Sequence, residues 1–218
     1  MNKEINIRQL QLENVLPQEI EKRSFEIIES ELAQPLDPEL APIIKRVIHT
    51  TADFSYVDTL CFSGNAKEIA LNALRAGAHI VTDTNMAKSG VSKERLAALG
   101  GQVHCFMADE DVALAAKEKG ITRAAAAVEK AMGLAESLQK PLIFAVGNAP
   151  TALVELYHLI AAGKLKPALI IGVPVGFVNV VQAKELIMEA GVPFIVNKGR
   201  KGGSNVAAAI CNALIYMA

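Results

Sequence analysis

Residues 142–146 read Leu-Ile-Phe-Ala-Val, five apolar residues in a row between Pro141 and Gly147. A run so short, with no polar alternation, predicts a strand buried on both faces, and such strands belong to parallel sheets sandwiched between helices. The unit recurs. Short apolar runs at 59–62, 78–82, 102–107, 168–171 and 193–196 alternate with stretches of helical spacing. These helices fall at 63–77, 92–99, 109–119 and 122–139 (broken by Gly120), then between the later strands up to 162 and 190, and finally at 204–217. Upstream, Pro17 opens one helical pattern, and Asp37-Pro38 reads as the cap and first position of a second. That second helix lines up Leu40, Ile43, Ile44, Val47 and Ile48, and runs out near His49-Thr50-Thr51. The expected fold is α/β: three layers, α/β/α, around a mainly parallel central sheet, one domain over 17–218 after a polar lead at 1–16.

Charge and cysteine usage narrow the function. The net charge is −1, with 22 basic against 23 acidic residues, so no basic excess points to nucleic acid. The three cysteines, Cys61, Cys105 and Cys211, are far apart and form no C-x-x-C pair, which fits a reducing cytoplasm and argues against a metal site. Asn2, Lys3 and Glu4 give the N-terminus no signal-peptide core, and no apolar run reaches the ~20 residues of a membrane span. The chain is nonetheless apolar, at 51% hydrophobic residues and a mean hydropathy of +0.29. Burial between subunits would relieve that surface, so a homodimer is expected.

In a doubly wound sheet, ligands bind outside the carboxyl ends of the strands. The unusual loops fall there: Thr82-Asp83-Thr84-Asn85, Gly147-Asn148-Ala149-Pro150-Thr151, Gly172-Val173-Pro174-Val175-Gly176 and the stretch from Asn197 to Ser204. The last carries Lys198, Arg200 and Lys201 among Gly199, Gly202 and Gly203, followed by Ser204 at a helix start. Glycines let amides approach an anion, a helix N-terminus adds partial positive charge, and an arginine grips a carboxylate through two hydrogen bonds. The alternative is a solvated basic turn. Neither a P-loop nor a G-x-G-x-x-G dinucleotide fingerprint is present. Asn148 and Pro150 suit a well-capped turn, and the apolar loop around Val173 suits either a wall for a flat ring or a tight turn.

Of four histidines, His79 and His104 sit in strand patterns, and His158 lies mid-helix beside Tyr157. His49, at a helix end with Thr50, Thr51 and Asp53 following, is the acid–base candidate.

Four segments together resemble the precorrin-8X methylmutase family. They are 46–54 (Arg-Val-Ile-His-Thr-Thr-Ala-Asp-Phe), 147–153 (Gly-Asn-Ala-Pro-Thr-Ala-Leu), 172–178 (Gly-Val-Pro-Val-Gly-Phe-Val) and 199–204 (Gly-Arg-Lys-Gly-Gly-Ser). The likeness covers about residues 17–218. Asp83 and Met86 also fit the pattern, while Lys88 stands where an apolar residue is expected. The resemblance implies an isomerase of corrin biosynthesis that moves a methyl group from C-11 to C-12 of precorrin-8X, or of cobalt-precorrin-8, as in a sigmatropic shift. The products are hydrogenobyrinate and cobyrinate respectively. It implies that the histidine matching His49 donates a proton to a ring nitrogen, that the protein is a homodimer with substrate near the subunit interface, and that no cofactor takes part. It also implies a set of contacts to the tetrapyrrole and its carboxylates: Arg23, Ser24, Arg46, Thr50, Asp83, Thr122, Arg123, Asn148, Gly176, Lys198, Arg200, Lys201, Gly202 and Ser204. Two other readings compete: a transferase or lyase using the same loops on a smaller anion, and a carrier that only holds the pigment.

Overall fold

The computed structural model describes residues 13–218. The chain divides into two compact units, up to Pro35 and from Leu36 onward. In the first, a 3-10 turn at Pro17–Glu19 leads into α1 (Ile20–Glu31). Pro17 stands at the start of that turn, where its missing N–H and fixed φ carry no penalty. The polar lead expected at 1–16 falls largely outside the described residues.

The second unit holds the sheet. Its helices are α2 (Ala41–Thr51), α3 (Tyr56–Thr59), α4 (Ala66–Arg75), α5 (Asn85–Gly90), α6 (Lys93–Ala98), α7 (Glu110–Lys119), α8 (Arg123–Leu138), α9 (Pro150–Ala161), α10 (Val180–Met188) and α11 (Ser204–Met217). Its strands are β1 (Leu60–Phe62), β2 (His79–Thr82), β3 (Val103–His104), β4 (Leu142–Val146), β5 (Leu169–Gly172) and β6 (Phe194–Asn197). They lie in the order β1-β6-β5-β4-β2-β3. All neighbours are parallel except β1, which runs antiparallel to β6 with Cys61 opposite Val196. The three-layer α/β architecture expected from the apolar runs is therefore present: β2, β4 and β5 are buried along their whole length. Phe144, at 1% exposure, anchors one core between the sheet and α8, α9 and α10. Burying such a side chain is worth about 1.5–3 kcal/mol. The other face is covered chiefly by α11, ten of whose residues are buried and which packs against α2, α4 and α5.

Several local expectations are corrected. A mainly parallel sheet leaves room for the antiparallel β1, since apolar pattern does not encode the direction of a short edge strand. The second helix begins at Ala41, one turn after Asp37, whose carboxylate instead accepts the Glu39 amide in a turn. The helix expected from residue 63 begins at Ala66, and Ser63 does not cap it; its hydroxyl accepts the Phe194 amide of β6. Asn148 does not cap α9 either, because Ala149 occupies that position. The run at 102–107 forms only two strand residues, since Asp109 bonds back to the Phe106 carbonyl and turns the chain. The one-turn helices α3 and α5 are too short to leave a periodic signal.

Candidate functional site

The order β3-β2-β4-β5-β6 makes the gap between β2 and β4 a topological switch point, where connections leave in opposite directions and a crevice opens at the carboxyl ends. Asp83, the first residue beyond β2, sits in that crevice. Its carboxylate accepts the amides of Gly147 (2.9 Å), Asn148 (2.8 Å) and Ala149 (2.7 Å), so from a neighbouring strand it holds the turn that leads into α9. Burial raises its carboxyl pKa above the ordinary carboxylate value, and the three amides offset only part of that rise. Both oxygens are occupied, and the side chain is 6% exposed.

The other loops are locked to this one. A Cβ on Gly147 would lie 2.7 Å from the Gly203 carbonyl oxygen, so only glycine lets the β4 loop abut the start of α11. The Thr84 and Ser204 hydroxyls share a hydrogen bond at 2.7 Å, and Thr84 also accepts the Ala87 amide to cap α5. Gly202, at φ +155°, presses against the Val173 carbonyl, where a Cβ would come within 2.0 Å. The Thr122 hydroxyl accepts the Ala125 amide at the start of α8 and donates to Thr151 of α9 at 2.8 Å, which brings Arg123 beside the β4 loop.

The basic loop is organised from below. Lys184 of α10 is 1% exposed, and its ammonium donates to the carbonyls of Gly199 (2.7 Å) and Lys201 (2.8 Å). Burial pulls its pKa down to about 8. Asn197 is fully buried; its amide donates to the carbonyls of Lys198 and Lys201, and its oxygen accepts the Thr59 hydroxyl. The Arg200 carbonyl accepts the Gly176 amide at 3.1 Å. Above, Lys198, Arg200 and Lys201 are exposed. The Arg200 guanidinium lies 5.5 Å from the centre of the Phe177 ring, and Phe177 and Val178 are 82% and 77% exposed.

His49 is exposed in the last turn of α2, and Thr50 follows it at the surface. The helix ends at Ala52, which takes a left-handed φ of +51°. Four residues past His49, the Asp53 carboxylate meets the Lys201 ammonium at 2.6 Å, and Lys201 also donates to the Ser55 hydroxyl at 2.9 Å. The Lys201 hydrogen bond, helped by Ser55, holds the Asp53 pKa down at about 2. The chain end of α2 and the basic loop are thus tied together.

Other residues expected at the site have partners of their own. The Arg46 guanidinium lies 4.8 Å from the Tyr216 ring, at the opposite end of α11 from Ser204. Arg23 and Ser24 belong to the first unit: Arg23 forms a two-bond ion pair with Glu13, and Ser24 donates to the Ile20 carbonyl. Lys184 and Asn197 are both central to the loops, and of the two Lys184 lies outside every segment that the sequence singles out. A lysine on the apolar side of a helix that otherwise carries Val180, Ala183 and Ile187 was the available signal. Among the described residues, no group of three or more His, Cys, Asp or Glu side chains is placed to hold a metal ion.

A doubly wound α/β sheet with its glycine-rich and basic loops gathered at the carboxyl ends of the strands has the frame in which enzymes of this architecture hold their ligands. The precorrin-8X methylmutase family model matches residues 19–217. The chain is 46% identical over 209 residues to the cobalt-precorrin-8 methylmutase of Salmonella typhimurium, covering 92% of this chain and 95% of that one. It is 43% identical over 205 residues to the enzyme of that name from Priestia megaterium, covering 94% and 89%. The crystal structure of precorrin-8x methyl mutase from Thermus thermophilus superposes with a TM-score of 0.82 at 42% identity, covering 91% of this chain and 96% of that one. The chain belongs to the precorrin-8X methylmutase family, and it is an isomerase of the methylmutase class.

Proposed function

We propose that the protein moves a methyl group from C-11 to C-12 of a precorrin-8 substrate at the carboxyl ends of its strands, with His49 as proton donor. One observation carries the reading: the ion pair between Lys201 and Asp53 brings the basic loop to the end of the helix that bears His49. A substrate fringed with acetates and propionates needs distributed positive charge, and Lys198, Arg200, Arg123 and the loop amides offer it. Gly176, Gly202 and Ser204 shape the floor, while Asp83, Thr122 and Asn148 hold the neighbouring turns in place. The exposed faces of Phe177 and Val178 suit a flat ring or a partner subunit.

One carbon–carbon bond breaks and another forms within the same molecule, so substrate and product have the same composition and neither a methyl donor nor a nicotinamide is consumed. His49, protonating a ring nitrogen next to the migrating centre, would draw electron density toward that nitrogen as the methyl leaves C-11. The test is incubation with substrate carrying carbon-13 in the C-11 methyl. The reading predicts that the label's NMR signal moves from its C-11 position to a new one at C-12, with no label released. A label that stays on C-11 while the pigment remains bound would instead support the carrier reading.

A further inference from the structure

Lys184 and Asn197 act on one face of the loop that follows β6. Each of the four carbonyls from Lys198 to Lys201 accepts a donor from the protein: Asn197 Nδ2 for Lys198, Lys184 Nζ for Gly199, the Gly176 amide for Arg200, and both Lys184 and Asn197 for Lys201. In a trans peptide the C=O of one residue and the N–H of the next point in opposite directions. The carbonyls of Lys198, Gly199 and Lys201 turn toward the buried Lys184 and Asn197, and that of Arg200 toward the amide of half-buried Gly176, so the amides of Gly199, Arg200, Lys201 and Gly202 turn away from these donors. Among the described residues, none of these four amides donates to a protein acceptor. The loop after β4 is the electrical opposite: the Asp83 carboxylate draws three amides inward. The two loops thus differ in which backbone groups the buried side chain engages, carbonyls for Lys184 and amides for Asp83.

We infer that Lys184 is a positioning residue that turns the 199–202 peptides so that their amides form a binding nest for a substrate carboxylate. The inference rests on the reading of this loop as the anion site of a methylmutase. A side chain at 1% exposure cannot reach a ligand in the crevice, so its effect passes through the carbonyls it holds. A nest preset in the free protein spares the ordering that binding would otherwise require.

The test is Lys184→Met, which keeps the length and burial of the side chain and removes the ammonium. Amide NMR shifts and hydrogen exchange at 199–202 are read in the free protein, and cobyrinate, a corrin polycarboxylate, serves as the binding probe. The inference predicts displaced shifts confined to this loop, cobyrinate affinity lower by about tenfold or more, and a loss of turnover that falls on KM more than on kcat. A folded Lys184→Met protein with unaltered loop amides overturns it. If the methionine variant does not fold, Lys184→Arg is read in the same way, its planar head unable to keep both bonds in place. Failure of both to fold overturns the assignment, because Lys184 then serves the core and not the loop. Wild-type amides at 199–202 that do not respond to cobyrinate would overturn the anion-site reading itself, whatever the free loop of Lys184→Met shows.

Discussion

His49 stands at the surface, in the last turn of a helix whose inward residues, Ile44, Val47 and Ile48, are buried without it. Its replacement should therefore leave the fold intact. His49→Ala should lose about 100- to 10,000-fold in kcat, the span that general acid–base groups supply. His49→Asn, which hydrogen-bonds without delivering a proton, should be nearly as inactive. Near-normal turnover by Asn would show that the position needs only a hydrogen bond. Asp83 behaves in the opposite manner because it is buried. Asp83→Ala leaves three amides at the end of β4 without their acceptor, and each unsatisfied buried donor costs about 1–3 kcal/mol. A loss of at least about 2 kcal/mol in denaturant unfolding is expected; an unchanged midpoint would mean that the loop finds other partners. His79 and His104 share a hydrogen bond at 2.8 Å between Nδ1 and Nε2, and burial lowers both pKa values from 6.5. The unfolded chain then takes up protons first as pH falls, so this pair's stability is fully present above about pH 6.5 and is lost as pH drops toward the folded pKa values. The denaturant midpoint should fall between pH 7.5 and 5 by more in wild type than in the double variant His79→Leu/His104→Leu, and equal slopes would contradict the pairing.

At the scale of elements, the strands were legible because each is a short apolar run, and β4 and α11 fall at the residues the pattern gave. Capping was less legible, because the side chains that could cap locally bond across the fold instead. Asp83 holds the turn before α9 from β2, and Ser63 bonds β6 and not its own helix. Such partners depend on strand order, which spacing does not contain. The basic loop was visible as composition, but the lysine that shapes it lies fifteen residues earlier, hidden as an apparent lapse in an apolar face. Arg46 shows the converse: a cation in a family-like segment whose ring contact lies at the far end of α11. Replacing Arg200 and Lys201 together with alanine should weaken cobyrinate binding by about 1.5–3 kcal/mol for each charge-assisted bond lost, and added salt should weaken wild type in the same direction. Equal affinity in the double variant, measured by titration of the visible spectrum, would remove the loop from the site.

For the whole molecule, Phe177, Val178 and Met86, at 82%, 77% and 71% exposure, leave large apolar side chains open to solvent on loops or short helices that follow β2 and β5. Together with the high apolar fraction, this predicts a homodimer; a monomeric mass by light scattering at micromolar protein would contradict it. Among the described residues no helix is long and apolar enough to cross a membrane. The Salmonella typhimurium and Priestia megaterium relatives are named for cobalt-precorrin-8 and the Thermus thermophilus one for precorrin-8x, and whether this chain's substrate carries cobalt bears on His49, because a metal on the ring nitrogens competes with the proton. The most direct measurement incubates purified protein with metal-free and with cobalt-containing precorrin-8 and follows the visible spectrum, since moving the methyl from C-11 changes the conjugation of the ring. The account predicts a catalytic shift to the spectrum of the corrin product with at least one substrate, many turnovers per protein molecule, slowed at least about 100-fold in His49→Ala. A spectrum that changes only in proportion to bound pigment, with no turnover of either substrate, would contradict it.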